Sequence, residues 1–152
     1  MTDLYLSLGS NLGDRHTLML QAIEALVQRV GTLVRCSSFI ETDPWGFESD
    51  QPFLNAVALY RTELSPRDVL ATTQAIERDL GRQHKSVNGY ADRTMDIDIL
   101  LYGNEHINEP DLKIPHPLMT DRPFVMKPLG EIAPDLTAQL LHPDSPSPNF
   151  RL

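Results

Sequence analysis

Disulfide chemistry is the first thing this chain lacks. Its single cysteine, Cys36, has no intramolecular partner and sits in an apolar stretch, where a buried, inert thiol is expected. Positive charge is scarce too: 13 Lys and Arg stand against 21 Asp and Glu, a formal net charge of −8. A surface of that sign disfavours nucleic acid and anionic membrane as partners, and an anionic small substrate would need local Arg, Lys or metal. Apolar runs fall short of a membrane span, no secretory signal is recognised at the start, and neither repeat nor linker is visible. A cytosolic location is the expectation. What is present is ordinary for a globular chain, and 152 residues suffice to bury a core, so one domain over 1–152 is expected.

The order of elements follows from hydrophobic period and caps. Leu4–Leu8 reads as a strand running into the turn-rich Gly9-Ser10-Asn11-Leu12-Gly13-Asp14. That loop lacks the ending of a phosphate-binding P-loop, so a structural turn with Asp14 or Asn11 near a helix N-cap is favoured. Leu18, Ala22, Ile23, Leu26, Val27 and Val30 form one helical stripe, closed by Gly31. Thr32–Ile40 reads as a second strand and Phe53–Thr62 as a third. In the third strand Leu54, Ala56, Ala58 and Tyr60 face one way, and Asn55, Val57, Leu59 and Arg61 the other. Ser65-Pro66-Arg67-Asp68 is a strong helix start, with Val69, Thr73, Ile76 and Leu80 turned to the core. Farther on, His106-Ile107-Asn108 is a short hairpin arm, and a short helix from Asp121 breaks at Pro128. Strand-helix-strand-strand-helix-strand is the order of an α+β, ferredoxin-like antiparallel sheet (a βαββαβ core) with helices on one face, here with a C-terminal extension.

The chemistry centres on Arg93-Thr94-Met95-Asp96-Ile97-Asp98-Ile99-Leu100. Apolar residues alternate with two aspartates, the period of a half-buried strand, so both carboxylates share one face. Two like charges about 7 Å apart repel, and a divalent cation would relieve them. Alternating charge is also how an ordinary sheet meets water, and both readings stand on this motif alone. Two polar loops flank the possibility. Thr42–Pro52 carries Trp45 and Phe47, either in a lid or tucked against a core edge. Arg82, His84 and Lys85 make the only basic cluster, close in sequence to Arg93 and the aspartates; the alternative is a solvated loop. Gln74 and Glu77 share a helix face that is either surface or cleft lining. His116, held between Pro115 and Pro117, is either structural or a donor to phosphate.

From Leu4 to about Leu136 the chain resembles the 6-hydroxymethyl-7,8-dihydropterin pyrophosphokinase family of folate biosynthesis. The resemblance rests on Leu8-Gly9-Ser10-Asn11-Leu12-Gly13-Asp14, Ser37-Ser38-Phe39, Gln51-Pro52-Phe53-Leu54-Asn55, Gly81-Arg82, Arg93 through Leu100, Ile114-Pro115-His116, Arg122-Pro123-Phe124 and Pro128-Leu129, in family order. It implies transfer of the pyrophosphoryl group of ATP to the pterin's hydroxymethyl oxygen, with release of AMP. It further implies two Mg²⁺ ions held by Asp96 and Asp98, and catalysis by these with Arg82 and Arg93. Gln74, Glu77, Arg82, His84, Arg93, His116 and Arg122 would serve ATP. Thr42, Pro44, Trp45, Phe53, Asn55, Tyr90 and Phe124 would serve the pterin, whose ring lies between Phe53 and Phe124. A monomer is expected. Three departures stand out: His84 replaces a common arginine, Phe53 a frequent tyrosine, and Tyr90 lies one residue off the family's tryptophan. Two competing readings are a non-catalytic ferredoxin-like binding module and another Mg²⁺-dependent phosphoryl or nucleotidyl transferase.

Overall fold

The computed structural model describes residues 1–11, 13–42, 52–81 and 95–142. Five antiparallel strands form the main sheet: β1 (Thr2–Ser10), β2 (Gly31–Cys36), β3 (Ile40–Thr42), β4 (Phe53–Thr62) and β5 (Asp96–Tyr102). The order is β2-β4-β1-β5, with β3 pairing β4 beyond β2. Helix α1 (Arg15–Arg29) joins β1 to β2, and α2 (Pro66–Asp79) joins β4 to β5. Leu4, Leu6 and Leu8 of β1, Ala56, Ala58 and Tyr60 of β4, and Ile97 and Ile99 of β5 pack against Met19, Ala22 and Leu26 of α1 and Val69 and Ile76 of α2. Full burial of each large side chain stabilises the fold by about 1.5–3 kcal/mol, less what its ordering costs.

The helices form where their caps allow. Asp14 accepts the Thr17 N–H at 3.2 Å and opens α1, and Ser65 accepts the Asp68 N–H at 3.1 Å and opens α2, with Pro66 next. Buried polar ends are also matched: Tyr60 OH donates to the Ile23 carbonyl at 3.0 Å and Thr62 Oγ1 to the Val30 carbonyl at 2.7 Å. Gly31 begins β2 because nothing larger fits; a Cβ there would lie 2.0 Å from the Arg61 carbonyl oxygen.

Helices are not confined to one face. The opposite face of the sheet, made by Val57, Leu59, Leu100 and Leu101, packs on a 3-10 turn (Met119–Asp121) and α3 (Pro123–Ile132) through Met119, Val125, Met126 and Leu129. Helix α4 (Pro134–Leu141) follows, with Leu136 and Leu140 against the same cluster. Helix α3 continues through Pro128 where a break is predicted. The ring forfeits one intrahelical N–H, but Pro128 is buried and its neighbour Leu129 is fully buried, so packing outweighs the lost bond.

Other sequence expectations shift. Strand β1 extends through Gly9 and Ser10, because Gly9 pairs with Asn55 and Asp96 and Ser10 with Leu54. The single strand predicted over Thr32–Ile40 is two, β2 and β3, separated at residues 37–39. There the Ser38 N–H and Oγ donate to Glu131 of α3 at 2.8 and 2.7 Å. The α1 stripe is rotated: Met19 is fully buried, whereas Val27 is 39% exposed. Residues 107–109 pair forward, β6 (Ile107–Glu109) with β7 (Leu112–Ile114), as a two-stranded sheet of their own. Arg67 at the start of α2 holds that hairpin through Asp111 at 2.8 Å and through Glu109.

Candidate active site

Strand β5 carries the aspartates as the alternation requires. Ile97 and Ile99 point into the core between sheet and α1/α2, while Asp96 and Asp98 are half-buried on the other face. A bulge follows: Tyr5 pairs with Leu101 and Leu6 with Ile99, so Leu100 has no residue opposite it. The Leu100 carbonyl instead accepts the His116 N–H at 2.9 Å, which sets His116 beside β5. His116 Nδ1 accepts the Leu118 N–H at 3.2 Å, so in the neutral ring the hydrogen sits on Nε2 and is available to donate. Burial pushes the His116 pKa below its ordinary value, the Arg122 charge pushes it further, and Asp96 opposes them. The ring is therefore neutral near neutral pH.

Arg122 caps this end of the sheet. It is 8% exposed, with Nη1 3.9 Å from Asp98 Oδ2, a distance for a loose ion pair, and its guanidinium carbon stands 5.5 Å from the centroid of the Phe124 ring. Between β5 and the β6–β7 hairpin lies a cleft of about 280 Å³, walled by Leu70, Ile97, Asp98, Leu112, Lys113 and His116. It has apolar sides, two carboxylates (Asp98, and Asp111 paired with Arg67), one lysine and one neutral imidazole, a lining suited to a flat base.

The other half of the site is built on β3 and β4. Asn55, 4% exposed, donates from Nδ2 to Thr42 Oγ1 at 2.6 Å, which fixes its amide. Phe53 stands half-buried two residues earlier. Asn55 pairs with Gly9 and Gly9 with Asp96, so one cross-strand row on one face joins the amide end to the carboxylate end.

Of the residues predicted from sequence, Thr42, Phe53 and Asn55 cluster at one end, and Asp96, Asp98, His116, Arg122 and Phe124 at the other. Of the two settings expected for Glu77, exposed surface is excluded. The residue is 6% exposed, and its Oε2 accepts the Ile97 N–H at 2.7 Å, between the two aspartates. It braces the strand that carries the carboxylates. Gln74 is exposed on α2. Pro44, Trp45, Arg82, His84, Tyr90 and Arg93 lie outside the described residues, as do the lid and basic-loop expectations. Lys113 and Leu112 went unnoticed in the sequence, where a hairpin of mixed charge gives no sign of which side meets a cleft.

The donor set bears on a metal. Among the described residues no group of three or more His, Cys, Asp or Glu could hold an ion. Two carboxylates on one face do suit Mg²⁺, which binds through one or two carboxylates and completes its shell with phosphate oxygens and water. No described helix is long and apolar enough to cross a membrane.

Comparison with known proteins gives the family. A sequence model of the family described as 7,8-dihydro-6-hydroxymethylpterin-pyrophosphokinase matches residues 5–134. A Porphyromonas gingivalis protein named 2-amino-4-hydroxy-6-hydroxymethyldihydropteridine pyrophosphokinase is 55% identical over 152 residues, covering 99% of this chain and 100% of that one. A protein of the same name from Bacillus subtilis is 44% identical over 129 residues, covering 84% and 76%. Among solved structures, an HPPK-DHPS in complex with substrates aligns with a TM-score of 0.69 at 14% identity, over 88% of this chain. Wild-type Plasmodium falciparum HPPK-DHPS aligns at 0.63 and 15% identity, over 86%. This chain spans 40% and 41% of those two longer chains, and the likeness to them is one of fold. With the family model covering most of its length and close relatives matched nearly end to end, the chain belongs to the 7,8-dihydro-6-hydroxymethylpterin-pyrophosphokinase family.

Proposed function

We propose that this protein transfers the pyrophosphoryl group of ATP to the hydroxymethyl oxygen of 6-hydroxymethyl-7,8-dihydropterin and releases AMP, a step of folate biosynthesis. The observation that carries the reading is the row Asn55–Gly9–Asp96. It sets a pinned amide, suited to a heterocycle edge, on the same sheet face as a carboxylate pair suited to metal-bound phosphate. Phe53 and Phe124 supply flat surfaces for the heterocycle. The cleft beside His116 and Lys113 takes the nucleotide, with the Nε2–H of His116 and the Arg122 guanidinium turned to anionic oxygens.

In the reaction the hydroxymethyl oxygen bonds to the β-phosphorus of ATP. The bond from that phosphorus to the oxygen bridging it to the α-phosphorus breaks, AMP leaves with that oxygen, and the hydroxyl proton passes to Asp98 or to water. Asp96 and Asp98 would hold two Mg²⁺ ions, which when bound neutralise charge on the polyphosphate. The chain's own work is positioning: Asn55 and Thr42 orient the heterocycle, Glu77 braces β5, and Arg122 offsets negative charge beside Asp98. By family resemblance Arg82 and Arg93 act on the polyphosphate, Gln74 and His84 add nucleotide contacts, and Pro44, Trp45 and Tyr90 contact the pterin. The order β2-β4-β1-β5, with α1 and α2 together on one face, supports a ferredoxin-like core within one domain. A cytosolic monomer completes the reading.

The test is incubation with Mg-ATP and the hydroxymethyl-dihydropterin, followed by nucleotide analysis. AMP is expected. ADP in its place would sink pyrophosphoryl transfer, and pterin binding without turnover would make the chain a binding module. Asp96→Ala and Asp98→Ala should each abolish turnover and leave thermal unfolding unchanged; unfolding of both variants would make the pair structural.

A further inference from the structure

Gly9 occupies a strand position where glycine has no local advantage. It lies within β1, and its φ is not among the positive ones, which belong to Gly13, Gly81 and Gly103. Any residue could adopt its backbone conformation, and glycine weakens a strand interior. Space is the remaining reason. A Cβ at position 9 would stand 3.1 Å from Asn55 Oδ1 and 3.6 Å from Phe53 Cδ1. Asn55 has little room to retreat, being 4% exposed and bonded to Thr42 Oγ1 at 2.6 Å.

Position 9 is also the middle of the cross-strand row. Asn55 pairs with it on one side and Asp96 on the other. Neighbouring strands lie about 4.8 Å apart, so Asn55 and Asp96 are about 10 Å apart across it. That span is of the order of a bicyclic heterocycle with its hydroxymethyl arm. A substrate gripped at Asn55 and reacting beside Asp96 must lie over position 9.

We propose that Gly9 is the specificity-determining floor of the heterocycle site. Its missing side chain lets a flat bicyclic ring bridge the Asn55 amide and the Asp96 carboxylate without displacing either. This rests on the function proposed above. A methyl group at position 9 narrows the site from below and pushes the Asn55 amide off Thr42, weakening the heterocycle's hold without touching the nucleotide cleft.

The experiment is Gly9→Ala, with Gly9→Val as the larger step, assayed by AMP release at varied pterin and varied ATP. One unwanted methyl group in a fitted pocket is expected to raise the pterin KM about tenfold, with Gly9→Val higher again and the ATP KM within about twofold of wild type. The thermal midpoint of Gly9→Ala should stay within a few degrees of wild type, because the strand preference of alanine offsets part of the loss of the Asn55–Thr42 bond. A pterin KM unchanged in both variants overturns the proposal. So does a joint rise of both KM values with a lowered midpoint, since Gly9 would then serve only the fold. Calorimetric binding of the hydroxymethyl-dihydropterin to wild type and Gly9→Ala separates this idea from the one beneath it. If wild type makes no AMP yet binds the pterin, equal affinity in the variant still overturns the role of Gly9, and a tenfold weaker affinity still supports it.

Discussion

Truncating Glu77 to alanine tests whether the carboxylate braces β5 or reaches a ligand. Oε2 accepts the Ile97 N–H at 2.7 Å in a site 6% exposed. A hydrogen bond to a charged group contributes about 1.5–3 kcal/mol, and stranding the buried Ile97 N–H adds a desolvation cost that a small neighbouring void only partly relieves. We expect Glu77→Ala to lose about 2–3 kcal/mol. At roughly 2–4 °C per kcal/mol for a domain of this size, the thermal midpoint falls by about 5–10 °C. Glu77→Gln keeps an acceptor oxygen and should lose about 1 kcal/mol or less. Because Ile97 sits between Asp96 and Asp98, the same truncation should lower kcat for AMP release, and Gln should restore most of it. Urea unfolding followed by circular dichroism gives the stability, and steady-state assay gives the kinetics. An unchanged unfolding midpoint in Glu77→Ala, with a raised ATP KM as the sole defect, would refute the brace and make Glu77 a nucleotide ligand.

Other predictions follow from single contacts. Ser65→Ala removes the acceptor for the Asp68 N–H and should cost about 1 kcal/mol in urea unfolding, with Ser65→Asp close to wild type. Leu26→Ala empties a fully buried position between α1 and the sheet and should cost about 2–5 kcal/mol, with activity per folded molecule retained. Glu131 gives a pH signature. The Ser38 hydroxyl and then the Ser38 N–H hold its carboxyl below the usual glutamate range. A depressed acid stabilises the fold above its unfolded pKa and loses that stabilisation as pH falls through its folded value. Wild type should therefore lose stability below about pH 4.3 more steeply than Ser38→Ala, as measured by unfolding midpoints across an acid titration. Parallel curves would count against the bond.

Much of this was legible because it is local. The alternation from Met95 to Ile99 assigns the faces of β5 without knowledge of its neighbours, and Ser65 with Pro66 marks a helix start by cap chemistry alone. The α1 stripe was legible only in outline: apolar residues are spread widely around the helix, and where the sheet lies decides that Met19 is buried and Val27 exposed. Gly9 and Ser10 read as turn formers; their strand state is fixed by Asn55, Leu54 and Asp96, far away in the chain. Glu77 read as a surface or cleft carboxylate because its acceptor role depends on a backbone N–H twenty residues on, which no side-chain pattern encodes.

The second helical layer explains why an aspartate pair sits on a sheet that is otherwise covered on both faces. Helix α3 packs over Val57, Leu59, Leu100 and Leu101, the apolar part of that face. At the row of Asn55, Gly9 and Asp96 the face turns polar, and at the start of α3 Arg122 reaches toward Asp98 and lies over the Phe124 ring. Asp96 and Asp98 are thus half-buried at the edge of a cover, a place where a carboxylate loses part of its hydration. Arg122 approaches Asp98 at 3.9 Å and sets one positive charge at that edge. Under the proposed function a cation with phosphate oxygens shares this edge, whereas a plain solvated sheet face would leave both carboxylates fully hydrated. The half-buried state of the pair, set by where α3 begins, therefore supports the metal site proposed above over a plain wet face, two readings that alternation alone leaves equal.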